Sequence, residues 1–507
     1  KDRGEYKKAL KLCKEAKKIF EEVQDPIGLL KSCYNIWEIL KDDKSYEDLI
    51  NAHDLVRERA STIPASIETL KLKDLDIFLI RRDIAEEHID LSEVVEHYVT
   101  IGDLKKAYGA HLRNKNLASI ELLRFSDFKG FKSLKGNERV LDLFFGFEKF
   151  GYFYEGKFYE LKIEEEDFDR ISELLKEIDE LLKSSSIGGV LSARSLALAE
   201  KSFNNFNKML IKEVFKKPIF AQIMKPIEYY LKACILHKAH VLNQIVSKQI
   251  EKKCYELLEA VGEVFSPFFE MDSIKIVPAY PMVNFPFHLL RKDGKFLYEV
   301  AEVTFLPHAD FANVLDSKLK GECDVVAYSS KDPLGELPQL KMIEKEAEIV
   351  SKYLKNPVVL KEPRIEDLMK YSGKIRVLHV ASHAVADLRN VLNSRICLGE
   401  SIHPQDIFKI KPSGFVFLSA CETGVSEKSR RDSLGLHTAI LASGAKSILA
   451  TLWPVGDDPA FEFAEKFYSE CKGEPSYEAY VKAIDHLRRK YEKTFFFGSY
   501  CWYGSLL

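Results

Sequence analysis

The sequence predicts an α/β fold with a mostly parallel sheet, preceded by an all-α arm of helices. Three observations carry this. From about Cys323 onward, short and nearly continuous apolar runs alternate with helical segments. Such runs fit strands buried on both faces by helices. The first ~120 residues instead show small and apolar positions at three- and four-residue spacing, the mark of helices with one buried stripe. Between them lies an aromatic, alternating stretch with a Gly-centred turn, the pattern of paired strands.

In the arm, Gly4-Glu5-Tyr6 and Ala9 open a helix that continues through Leu12, Cys13, Ala16, Ile19 and Phe20. Asp25-Pro26 ends it and suits the start of the next, since Pro lacks the N–H that a first helical turn leaves unpaired. Helices follow over Ile27–Leu40 and Tyr46–Ala60, and Gly102-Asp103-Leu104, Ala107 and Tyr108 echo the opening phrase. Near Glu138 strands begin, over Val140–Phe147 and Tyr152–Tyr159. Helices are expected at 167–183, 193–214 and 227–264, then a strand at Ser273–Pro278. The strands of the last part are Asp324–Tyr328, Pro357–Leu360, Ile375–Ala381, Phe415–Ser419 and Ser447–Leu452, with helices at Ile343–Leu354 and Ile365–Tyr371. The domains read as 1–125, 138–320 and 321–507.

With 46% hydrophobic and 30% charged residues, 507 residues can bury a sizeable core, which excludes wholesale disorder. Basic and acidic residues nearly balance, at 75 and 78, so no general field exists to hold nucleic acid, and direct nucleic-acid binding is not expected. No apolar run reaches the ~18–20 residues of a membrane span. The nine cysteines are scattered and contain no C-x-x-C pair, which suits free thiols in a reducing cytoplasm and argues against a zinc ribbon. The histidines show no metal-ligand spacing and no Gly-rich phosphate loop occurs, so neither metal nor cofactor is expected. The chain starts without Met, partway through its first helical phrase, and so reads as a fragment.

In open α/β sheets, function gathers beyond the carboxyl ends of strands. Two strands here end in reactive side chains: Leu378-His379-Val380-Ala381-Ser382-His383, and Phe417-Leu418-Ser419-Ala420-Cys421-Glu422-Thr423-Gly424. The separation of 38 residues from His383 to Cys421 is enough for a crossover to a nearby parallel strand. A thiol beside an imidazole is the minimum equipment for covalent acyl transfer: the thiolate attacks a carbonyl and the imidazole protonates the leaving amine. Alone, the Cys would read as a small buried hydrophobe and the His as a polar strand cap. The pair favours catalysis.

These two segments resemble the signatures of the CHAT family, caspase-like cysteine peptidases commonly fused to tetratricopeptide repeats. Pro281–Leu290, Leu337-Pro338-Gln339 with Glu344, Glu346 and Ala347, Gly435–Ala445, Ala450–Val455 and Trp502 are similar to further elements of the family. The helical phrases of residues 1–120 resemble tetratricopeptide repeats. An ordinary helical bundle is the alternative. The resemblance spans about residues 138–507 and implies a caspase/separase-type α/β/α sandwich in which residues 138–320 form a supporting half. It further implies a cysteine endopeptidase with a dyad of His383 and Cys421 and oxyanion donors at the backbone N–H groups of Ala384 and Cys421. The family usually carries Gly where this chain has Ala384, and Ala disfavours positive φ.

Substrate-binding acids are expected at Asp457, Asp458 and Asp432. The resemblance to separases places an acidic residue beside a Trp-containing stretch such as Trp453–Asp458, where it receives a basic side chain. Asp457 and Asp458 equally suit a helix start ahead of Pro459, and Asp432 sits in a charged segment that also reads as solvated surface. The helical arm is expected to hold a regulatory protein or ribonucleoprotein, and the family resemblance extends to prokaryotic RNA-guided and other defence systems. Two other readings stay open: a catalytically silent scaffold, which Ala384 favours and the retained His383 and Cys421 oppose, and acyl transfer to a small molecule.

Overall fold

The computed structural model describes residues 3–62, 90–115, 136–137, 139–146, 149–163, 165–184, 227, 231, 244–279, 282–315, 318–387, 393–426 and 435–507. The chain divides into two compact units, Lys1–Glu121 and Leu122–Leu507.

The first unit is all-helical among the described residues: α1 (Arg3–Glu22), α2 (Pro26–Leu40), α3 (Asp43–Thr62), α4 (Ser92–Ile101) and α5 (Leu104–Asn114). Its boundaries are set locally. Asp25 caps α2, its Oδ1 accepting from the N–H groups of Ile27 and Gly28, and Pro26 fills the first helical position. Gly102, at φ 82°, ends α4 in the left-handed region, and Asp103 caps α5 through the Lys106 N–H. Successive helices pack as antiparallel neighbours, α1 on α2, α2 on α3 and α4 on α5. Trp37 is fully buried against His97 and Tyr98.

The second unit is built on one sheet. Its first strands are β1 (Leu141–Phe145), β2 (Phe150–Tyr154) and β3 (Lys157–Glu160), followed by α6 (Glu165–Ser184) and α7 (Gln244–Val264). The turn between β2 and β3 uses Glu155 and Gly156 at φ 50° and 70°, the conformation a tight hairpin needs. Then come β4 (Ser273–Val277), the small hairpin β5 (Arg291–Lys292) and β6 (Lys295–Phe296), and β7 (Glu302–Phe305). The last part runs β8 (Cys323–Tyr328), α8 (Ile343–Tyr353), β9 (Val358–Lys361), α9 (Ile365–Met369), β10 (Ile375–Ala381), β11 (His383–Val385), β12 (Arg395–Cys397), β13 (Ser401–Ile402) and α10 (Pro404–Ile410). It ends with β14 (Phe415–Ser419), α11 (Leu436–Ser443), β15 (Ser447–Thr451), α12 (Asp457–Cys471), α13 (Tyr477–Tyr491) and β16 (Tyr500–Gly504).

Among the described residues the main sheet has eleven strands in the order β3-β2-β1-β4-β7-β16-β15-β14-β10-β8-β9. It is mostly parallel; the antiparallel pairs are β1–β2, β2–β3 and β15–β16. Because β16 runs parallel to β7 and antiparallel to β15, the sheet consists of two mainly parallel halves facing opposite ways. The last strand of the chain is therefore the seam between them.

Helices cover both faces of the carboxyl-terminal half. Leu378, Val380, Val416 and Leu418 point to one face and share an apolar interspace with Ile407 and Ile410 of α10 and Ile440 of α11. The alternate residues His379, Phe415 and Phe417 point to the other, against Phe463, Phe467 and Tyr468 of α12. This is the α/β fold expected from the sequence, a mostly parallel central sheet flanked by helices and preceded by an all-helical region. The expected helix at 193–214 lies outside the described residues, as does most of 227–243.

Candidate active site

The two reactive strand ends are neighbours. β10 pairs with β14 in parallel, with Ala381 opposite Ser419, and the Ser382 N–H still donates to the Ser419 carbonyl at 3.4 Å. His383 follows at once on one strand, and Cys421 stands two residues beyond Ser419 on the other. Both are partly exposed, at the sheet edge where the carboxyl ends of β8 and β15 also open.

On the histidine side, the chain does not leave the strand as a plain loop. His383, Ala384 and Val385 form β11, the first strand of a three-stranded sheet with β12 and β13, in which His383 lies opposite Cys397 and Ala384 opposite Ile396. Ala384 is thus in strand conformation, outside the left-handed region that only Gly enters freely. The His383 Nε2 lies 2.6 Å from the Pro338 carbonyl oxygen. A carbonyl can only accept, so Nε2 carries the hydrogen, which leaves Nδ1 as the ring's basic nitrogen when the ring is neutral.

Pro338 sits in the segment between β8 and α8, which is fastened at several points. Asp332 accepts from the N–H groups of Leu334 and Glu336. Arg395 of β12 reaches Asp332 at 3.4 Å and Glu336 at 2.8 Å. The Leu340 N–H returns to the Ser330 carbonyl.

On the cysteine side, the turn after β14 is pinned from below. The Thr451 hydroxyl donates to the Ala420 carbonyl at 2.8 Å, as does Thr423 at 3.1 Å. The Gly424 N–H donates to the Thr451 carbonyl, and the Tyr503 hydroxyl to the Gly424 carbonyl. A side chain at Gly424 would press on Tyr503 and the Thr451 carbonyl, which is why Gly stands there. Glu422 is held at φ 55°, an uncommon state for a non-Gly residue and one that over-determined surroundings sustain. Buried Asn284 closes the turn: its Oδ1 accepts from the Ser426 N–H at 2.7 Å and its amide donates to the Ser426 carbonyl at 3.1 Å.

Burial pushes the Cys421 thiol above its ordinary pKa, the main chain of Val455 opposes that shift, and the charges of Glu422 and Asp457 add to it. The resting thiol is therefore protonated near neutrality, and forming the thiolate requires a base or a cation at the site.

Asp457 and Asp458 open α12, where acidic residues suit the positive end of the helix. Gly456 is the cap residue and neither Asp caps α12 with its side chain. Instead the Asp457 Oδ2 accepts from the N–H groups of Lys341 and Met342, at 2.6 and 3.1 Å, just ahead of α8. Asp458 is exposed. Asp432 lies outside the described residues, as does the whole segment 427–434.

Reading the sequence located the two strand ends but missed Arg395 and the Pro338 carbonyl as partners of the site, and Asn284, Thr451 and Tyr503 as supports of the turn. The first carries no pattern in the chain. Asn284 stood inside a segment singled out only by resemblance. Among the described residues no cluster of His, Cys, Asp or Glu could hold a metal ion.

Residues 245–503 match the family described as the CHAT domain. Among solved structures, the chain is similar to the complex of the pro- and mature domains of Porphyromonas gingivalis RgpB, at 11% identity and a TM-score of 0.36, covering 49% of this chain and 68% of that one. It is similar to the Arg-specific cysteine proteinase gingipain R at 13% identity and 0.36, covering 49% and 67%. It is also similar to the Saccharomyces cerevisiae separase–securin complex at 12% identity and 0.40, covering 98% of this chain but only 37% of that one. No curated protein matches it significantly. The family match takes in both strand ends, the turn after β14 and the final strand, and extends over just over half of the chain: the chain belongs to the CHAT-domain family.

Proposed function

We propose that the chain is a cysteine endopeptidase in which Cys421 is the nucleophile and His383 the general acid/base. One observation supports this above all: the in-register pairing of β10 and β14, which brings an imidazole and a thiol beyond adjacent strand ends at one sheet edge. The Pro338 carbonyl occupies Nε2, so Nδ1 is the nitrogen that would take the thiol proton. The sulfur then bonds to the substrate carbonyl carbon, and the carbonyl oxygen becomes an oxyanion held by the N–H groups of Cys421 and Ala384. Each such donor is typically worth about 3 kcal/mol of transition-state stabilisation. The imidazolium returns its proton to the leaving amine as the C–N bond breaks, giving a thioester. Water, deprotonated by His383, attacks the thioester; the C–S bond breaks and the thiol re-forms.

An added substrate strand at this edge would place the side chain before the cut bond near the loop after β15. The specificity we propose is a preference for Arg or Lys there, met by Asp458 and by the Asp457 carboxylate oxygen that the Lys341 and Met342 N–H groups do not take, with Asp432, outside the described residues, as a further candidate acid. The helical unit would act as a tetratricopeptide-type regulatory arm in the cytoplasm, holding a protein or ribonucleoprotein partner, as in a prokaryotic defence system. It contains a cavity of about 470 Å³ lined by Lys17, Glu21, Cys33, Asp48 and Asp54. No described helix is long and apolar enough to cross a membrane.

The test is labelling of the full chain by peptidyl acyloxymethyl ketones carrying Arg or Asp next to the warhead. Selective labelling of Cys421 by the Arg probe, lost in His383→Ala, is expected. Labelling no faster than that of the other cysteines, in the presence of a cell extract able to supply the partner, would favour a silent caspase-like scaffold.

A further inference from the structure

We propose that Asp457 is a positioning residue that latches the base side of the site to the nucleophile side. This rests on the dyad reading above and goes beyond it.

The carboxyl end of β15 lies against the turn that carries Cys421: the Thr451 carbonyl accepts from the Gly424 N–H and the Thr451 hydroxyl donates to the Ala420 carbonyl. Six residues after Thr451, the Asp457 Oδ2 takes two backbone N–H groups, those of Lys341 and Met342. Three residues before Lys341, the Pro338 carbonyl takes the His383 Nε2 hydrogen. One carboxylate oxygen thus joins the loop that leaves β15, beside the nucleophile's turn, to the segment that sets the tautomer of the imidazole. Charge-assisted bonds from a carboxylate to backbone N–H groups are roughly twice as strong as neutral ones, so this joint is firm for its size. Arg395 grips the same segment ahead of Pro338, through Asp332 and Glu336, while Asp457 holds it after Pro338. The Pro338 carbonyl is therefore held between two anchors, and neither anchor touches His383 itself.

Asp457 also has a cost. Its charge, with that of Glu422, works against the thiolate. A residue serving only the thiol would not be an acid here, and the two backbone N–H groups give the carboxylate a structural task beside the pocket role proposed for it. The latch and the charge separate by substitution. Asp457→Asn keeps an oxygen that can accept from the N–H groups and removes the charge. Asp457→Ala removes both. Arg395→Gln weakens the other anchor and lies away from the sulfur.

The experiment needs no substrate. The full chain is treated with iodoacetamide between pH 5 and 10, and modification at Cys421 is followed by peptide mass spectrometry. In the wild type, a thiol assisted by His383 alkylates below the pH at which a buried, unassisted thiol ionises. His383→Ala should lose this acid component. Asp457→Ala and Arg395→Gln should lower it by about 10- to 100-fold, the usual result of misplacing a reacting group by about 1 Å. Asp457→Asn should retain it and shift the alkaline limb to lower pH, since one negative charge near the sulfur is gone. Circular dichroism checks folding, and if Asp457→Ala does not fold, Arg395→Gln decides. A wild-type acid component in Asp457→Ala or Arg395→Gln overturns the latch while leaving the dyad standing. An equal loss in Asp457→Asn and Asp457→Ala also overturns it. A wild-type profile in His383→Ala overturns the dyad, and the latch with it.

Discussion

Asn284→Ala should loosen the turn that carries Cys421 without unfolding the sheet beneath it. Asn284 is 8% exposed and Ser426 1%, and the side chain of the first makes two hydrogen bonds to the backbone of the second, at 2.7 and 3.1 Å. Ala removes both at once. A buried backbone group deprived of its partner costs about 1–3 kcal/mol, so the pair amounts to about 2–6 kcal/mol. The loss falls on one turn, because the strands on either side keep their own ladders. At about 1.4 kcal/mol per factor of ten, local opening should become roughly 30- to 20,000-fold more frequent. Hydrogen exchange followed by mass spectrometry reads this directly. Peptides covering 420–426 should lose protection by that factor while those covering β10 and β15 keep theirs. Asn284→Asp adds an internal control. At neutral pH it retains an acceptor for the Ser426 N–H but turns a carboxylate oxygen towards the Ser426 carbonyl, which is repulsive. Burial raises that carboxyl's pKa above its unfolded value, so its protonated form, which can donate to the carbonyl, recovers protection relative to wild type as pH falls. Unchanged protection at 420–426 in the Ala variant, or uniform loss across the whole unit, would refute the pinning role.

Other consequences can be measured independently. His288 and His437 are fully buried, and burial pushes them down to about 4 and about 3. Each has a folded pKa below its unfolded one, so the stability they lend is complete above about pH 6.5 and is lost as pH falls. The expected slope approaches about 1.4 kcal/mol per pH unit for each histidine below about pH 5.5. Urea midpoints measured from pH 7 to 4.5 should fall accordingly, and a flat profile would contradict their burial as neutral rings. Gly414→Ala would place a Cβ 2.0 Å from the Arg376 carbonyl oxygen, so it should destabilise the carboxyl-terminal half by about 1–3 kcal/mol, read as a lowered melting temperature. Asp25→Ala should cost about 1 kcal/mol through lost capping of α2, with the exchange of its first turn rising and that of the sheet unchanged. Cys421→Ala should abolish peptide cleavage with a melting temperature close to wild type, and residual turnover near wild type would remove Cys421 from the chemistry.

The sequence by itself determined the elements. Strand bounds at Ile375–Ala381 and Phe415–Ser419 agree with the structure residue for residue, because strands buried on both faces leave unbroken apolar runs that end where polar residues begin. The Asp25-Pro26 helix start was equally local, fixed by one capping carboxylate and one missing N–H. The two reactive side chains were legible too, since their place after such runs puts them at a sheet edge whatever the strand order. What the sequence could not supply was that order. Nothing in Tyr500–Gly504 says that the last strand joins two opposed half-sheets, because pairing depends on partners almost 200 residues away. The extra strand β11 that places Ala384, the grip of Arg395 on the Pro338 segment and the hold of Asn284 on Ser426 are likewise contacts between distant segments. Asp457 shows the limit most plainly. Its position before Pro459 fitted either a cap for its own helix or a pocket acid, and only the tertiary structure brought it within 2.6 Å of a backbone N–H 116 residues earlier. Hydrophobic periodicity and capping act over a few residues and are written along the chain. The hydrogen bonds that aim side chains such as His383 and Asp457 are made across the fold, after collapse has chosen the neighbours.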